Sequence, residues 1–85
     1  MHYARLSRSP RLRRALRALQ AAQGEISTFD LSRRARICAV NSVIAELRAN
    51  GAEIACRQAR EDGQVRFYYT LLKSPEHPHA PSKTD

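Results

Sequence analysis

Up to Gly51 the apolar residues fall at helical spacing; beyond it they alternate. Leu12, Leu16 and Leu19, with Ala15 and Ala22 beside them, predict a first helix. Ser9-Pro10 marks its start, because a serine oxygen caps free backbone N–H groups and proline fits the first helical position. Gly24 supplies its end. Ile26 stands alone between helices and suits at most a very short strand. Ser27 or Thr28 can cap a second helix, with Asp30 three residues after Ser27 to suit a capping box and the helix dipole. Phe29, Leu31 and Ala35 are its candidates for burial. This helix is short, so tertiary packing has to hold it. Arg36-Ile37-Cys38 is the expected turn, with Ile37 pointing into the core. A third helix follows over 39–50, where Val40, Val43, Ile44 and Leu47 form a core stripe. Asn50-Gly51 ends it in a left-handed conformation.

Residues 53–58 then alternate, with Ile54, Cys56 and Gln58 on one face and Ala55 and Arg57 on the other. Residues 65–72 alternate again. Val65, Phe67, Tyr69 and Leu71 are expected on the core side, and Arg66, Tyr68 and Thr70 toward water. Glu61-Asp62-Gly63-Gln64 between the runs is a turn signal, so the two make a β-hairpin. Residues 1–8 are polar and basic and read as a flexible arm. Residues 9–72 form one domain. Residues 73–85, with Pro75, Pro78 and Pro81 and few apolar side chains, read as a disordered tail.

Composition narrows the partners. A chain of 85 residues with a net charge of +7 suits one small domain and a polyanionic partner: nucleic acid, an anionic membrane or an acidic protein. The charge is uneven. Residues 1–24 hold six arginines and no acid, whereas residues 51–72 and 73–85 each sum to zero. Cys38 and Cys56 are too few and too far apart for a metal cluster or a disulfide framework, and read as two small half-buried thiols. No signal peptide is visible and no stretch approaches the ~20 apolar residues of a membrane span, so a cytoplasmic protein is expected. No serine in the folded region has a histidine near it in sequence. His2, His77 and His79 lie in the terminal segments, and there is no Gly-rich phosphate loop. No enzyme, cofactor or metal is expected.

The order helix, helix, turn, helix, hairpin resembles winged helix-turn-helix domains, most of all the small stand-alone proteins of bacteria and phages. The resemblance covers about residues 9–72. Its carriers are Ile26-Ser27-Thr28 leading into the second helix and Ile37 followed by Val40. Ile44-Ala45-Glu46-Leu47-Arg48-Ala49-Asn50-Gly51 matches an I-x-x-L-R-x-x-G helix end, and Tyr69-Thr70-Leu71 matches a closing Y-x-L. It implies an α+β fold of three helices followed by a two-stranded β-hairpin wing. It also implies a double-stranded DNA-binding regulator of transcription or of phage genes. The chain departs from the pattern at Arg36, where the inter-helix turn often carries glycine, and in the few polar residues at the start of the third helix.

Base contacts on that reading fall to Asn41, Ser42 and Ala39: asparagine can pair with adenine, serine can bond a base or a phosphate, and an alanine methyl can touch a thymine methyl. Phosphate contacts fall to Ser27 and Thr28 at a helix start, to Arg33, Arg34 and Arg36 about the turn, and to Arg57, Arg60 and Arg66 on the wing. Arg5 and Arg8 could reach a neighbouring groove from the arm. A homodimer on a two-fold site is the expected form of a repressor, with Tyr68 a candidate interface anchor. The alternative is a protein-binding winged helix, for instance a phage factor docking on a host complex. Arg13, Arg14 and Arg17 on the first helix would then meet an acidic partner.

Overall fold

The computed structural model describes residues 6–75. Within them the order is α1 (Pro10–Ala22), β1 (Glu25–Ser27), α2 (Thr28–Ala35), α3 (Val40–Ala49), β2 (Glu53–Glu61) and β3 (Gln64–Lys73), preceded by a 3-10 turn at Leu6–Arg8. It is a small α+β domain with three helices and a three-stranded antiparallel sheet in the order β1-β3-β2.

The local signals act where the sequence places them. Ser9 is the N-cap of α1, its Oγ accepting from Leu12 N at 3.3 Å, with Pro10 in the first turn. Ser27 caps α2, its Oγ accepting from Asp30 N at 3.0 Å. Asp62 and Gly63 both take positive φ, 51° and 76°, at the hairpin tip. Such a two-residue turn matches the right-handed twist of the paired strands. The end of α1 differs from expectation: Gln23 takes the left-handed conformation and donates its N–H to Gln20, while Gly24 leads on to β1. At the end of α3 only Gly51 has positive φ, at 104°, and Asn50 stays at −89°.

Leu12, Leu19, Leu31, Val43 and Leu47 are fully enclosed, and Ala15, Ala18, Ala35, Ile37, Val40 and Ile44 complete the helical side of the core. The sheet contributes Ile26, Ile54 and Tyr69, with Leu71 packed against them. Ile26 pairs with Tyr69 across β1 and β3, so the isolated apolar residue between helices is a core strand position. The sheet therefore has three strands where a two-stranded wing was expected.

The folded part also begins earlier than Ser9. Leu6 is buried, its N–H donates to Asn50 Oδ1 at 3.0 Å, and its carbonyl accepts from Arg13. An apolar side chain with both backbone groups engaged is anchored, so Leu6 is not part of a free arm; residues 1–5 of that expected arm, Arg5 among them, lie outside the described residues. At the other end Lys73 closes β3, Gln20 bonds Ser74, and Pro75 is buried. The rest of the expected tail lies outside the described residues.

Three burial expectations are corrected. Phe29 is 67% exposed, because about 200° of helix separates it from Leu31 at ~100° per residue. Val65 and Phe67 are 43% and 42% exposed. They do alternate in step with Tyr69, but the helices packed on β3, α1 and α2, have 13 and 8 residues and β3 has 10. A helix rises ~1.5 Å per residue and a strand ~3.3 Å, so the strand outruns its cover. Cys38 and Cys56 are likewise exposed free thiols, not half-buried ones.

Candidate nucleic-acid interface

The turn between α2 and α3 is built from both ends. Arg36 takes φ 58°, and its N–H returns to Ser32 O. Ile37 N also donates to Ser32 O, at 3.0 Å, and Ser32 Oγ donates to Ile37 O. From α1, Arg14 reaches across: Nε donates to Ala35 O at 2.8 Å and Nη2 to Arg36 O at 3.4 Å. A buried Ile37 then locks the turn to the core. α3 leaves this turn with no side-chain cap, since Ala39 is its N-cap residue. Its first backbone N–H groups are left for an outside acceptor.

A groove of about 670 Å³ opens beside this uncapped end, between the starts of α2 and α3 and the uncovered part of β3. Phe29, Val65 and Phe67 give it an apolar wall; Ala39, Asn41 and Ser42 line the α3 side. Phe67 pairs with Gln58 and Val65 with Arg60 across β2 and β3, so Arg60 lies on the same sheet face as the groove wall. Asn41 and Ser42 are exposed, as the sequence suggests. Asn41 is also oriented, because Tyr69 donates its hydroxyl to Asn41 Oδ1 at 3.0 Å. That contact was not legible in the sequence, since the pair lies 28 residues apart.

Other expected residues are committed within the fold. Ser27 Oγ is occupied by Asp30 N, and Thr28 Oγ1 donates to Phe67 O at 3.3 Å. Arg33 pairs with Asp30 at 3.2 Å and sits over the Phe29 ring, 5.7 Å from its centroid. By strand alternation Arg57 and Arg66 belong to the opposite sheet face, although Arg66 also lines the edge of the groove. There Arg57 bonds both carboxylate oxygens of Glu25 and lies 4.8 Å from the Tyr68 centroid, and Arg66 pairs with Glu61 at 3.3 Å. Tyr68 donates its hydroxyl to Glu61, which stabilises the neutral phenol and raises its pKa. Arg34 faces a second depression of about 540 Å³ that also carries Asp30, Glu61 and Asp62. It is therefore not grouped with the α3 side.

The cationic face expected on α1 divides. Arg14 is the internal tie just described. Arg13 bonds the Leu6 carbonyl, and Arg11 makes a two-bonded ion pair with Glu46 of α3 at 2.9 and 2.8 Å. The exposed guanidinium groups of Arg8, Arg17, Arg34, Arg36 and Arg60 make no hydrogen bond or ion pair with other described residues. Of these, Arg36 stands three residues before Ala39 and Arg60 lies opposite Val65. They are the unengaged cations nearest the groove in sequence and register.

No cluster of metal-ligating side chains occurs among the described residues. None of their helices is long and apolar enough to cross a membrane. Comparison of the chain with protein families, curated proteins and solved structures finds no match.

Proposed function

We propose that the chain is a winged helix-turn-helix protein that binds double-stranded DNA, with α3 in the major groove and the β2-β3 hairpin alongside it as the wing. The carrying observation is one continuous surface. The exposed start of α3 meets the uncovered inner face of the hairpin in one groove. Of the unengaged arginines, Arg60 lies on that sheet face opposite Val65, and Arg36 precedes Ala39 by three residues in the chain. α3 spans 10 residues, ~15 Å at 1.5 Å per residue, a length that a major groove accommodates. The uncapped N–H groups of its first turn suit a phosphate oxygen. A small regulator of bacterial or phage genes is the biological role that fits, acting as a dimer on a two-fold site because one module covers few base pairs.

The test is a titration of labelled duplex DNA at two salt concentrations, with Arg36→Ala and Arg60→Ala beside the parent. Binding that weakens steeply with salt is expected. Each variant should weaken all duplexes alike and reduce the salt slope by about 1. Absence of any duplex binding at low salt rejects the reading.

One observation favours a second reading. Phe29, Val65 and Phe67 present apolar surface at one groove, a feature of protein-docking sites as well. A protein-binding winged helix would retain a partner with undiminished affinity as salt rises.

A further inference from the structure

The exposed side of α3 offers no free cation. Its one arginine, Arg48, donates Nη2 to the Ile54 carbonyl at 2.7 Å. Toward solvent its first two turns carry Ala39, Asn41, Ser42 and Ala45. Guanine is commonly read by an arginine or lysine that spans O6 and N7, and no such side chain stands here. Asn41 is the residue best able to choose a base, and Tyr69 decides which end of its amide is offered. The Tyr69 hydroxyl occupies Oδ1 at 3.0 Å, so the carbonyl end faces the sheet. Nδ2 bonds no other described residue and is left as a donor.

A donor needs an acceptor. In the major groove these are purine N7, guanine O6 and thymine O4, and thymine alone sets its acceptor beside a methyl group. The surroundings of Asn41 match that pairing, because Ala39, Val65 and Phe67 line the same groove. Resting on the double-stranded DNA reading above, we propose that this face selects A·T base pairs through thymine. Asn41 Nδ2 donates to O4, and the neighbouring apolar groups pack on the 5-methyl.

The experiment compares duplexes of equal length at one salt concentration: A·T only, G·C only, and A·T with every thymine replaced by uracil. Equal length holds the phosphate contribution constant. Uracil keeps O4 and the minor groove but removes the major-groove methyl. The A·T duplex is expected to bind at least about tenfold more tightly than G·C. Uracil should cost about fourfold for each methyl contacted. Asn41→Asp turns the donor into an acceptor at an exposed position, so it should lower the A·T over G·C ratio to no more than the methyl contacts supply, whatever its effect on overall affinity. Equal binding of thymine and uracil duplexes, or an Asn41→Asp protein with the parental ratio, overturns thymine reading while leaving DNA binding in place. No binding to any duplex at low salt overturns both.

Discussion

Glu25 and Arg57 sit on the outer sheet face, joined over the Tyr68 ring. The hydrogen bond from Arg57, with its positive charge, holds the Glu25 carboxyl below its ordinary value of 4.5. A depressed carboxylate pKa stabilises the folded state above the unfolded value, and the contribution is lost as pH falls through the depressed one. Both side chains are solvent-exposed, so screening keeps the contribution small. The check is an NMR titration: the Glu25 midpoint should lie below 4.5 in the parent and return to it in Arg57→Ala. An unchanged midpoint would remove the pair as the cause. The residue scale is also where sequence reading is weakest. Asn41 was identifiable as a candidate by residue type and helix position, but its amide orientation depends on Tyr69, which the chain brings back from the last strand. The exposure of Phe29 was available from helical phase alone.

At the scale of elements, the α2-turn-α3 unit shows what local sequence can and cannot do. Its N-cap, core stripe and buried Ile37 follow from residue type and spacing. The support of the turn does not, because it comes from α1. Arg14 donates to the carbonyls of Ala35 and Arg36, which end α2 and would otherwise lack a partner there. Arg14→Ala should lower stability by about 1–2 kcal/mol, read by urea denaturation, since it leaves a part-buried carbonyl unsatisfied. Arg17→Ala on the same helix, at an arginine without a described partner, should stay within about 0.5 kcal/mol of the parent. Equal effects from the two would show that Arg14 is also merely surface. By residue type and spacing Arg13, Arg14 and Arg17 form one cationic face. Charge and phase are alike for the three, and only the position of the neighbouring helix separates them.

At the scale of the whole molecule, the domain is elongated, 50 × 23 × 22 Å, with the paired strands running beyond the helices. Hydrogen exchange should divide β3 accordingly. Amides near Tyr69 and Leu71, backed by core, should be protected well beyond those near Val65 and Phe67, although pairing is continuous along the hairpin. Equal protection would mean that the distal half is covered in solution. The sequence by itself determined the three helices, their starts, the hairpin and its Asp62-Gly63 turn, and most of the helical core. Those are short-range matters of capping, left-handed backbone and apolar period. Only the tertiary structure decided that Ile26 adds a third strand, that Leu6 joins the core, that Val65 and Phe67 line an open groove, and which arginines are committed within the fold. Each depends on how far one element extends over another, and residue spacing carries no measure of that distance.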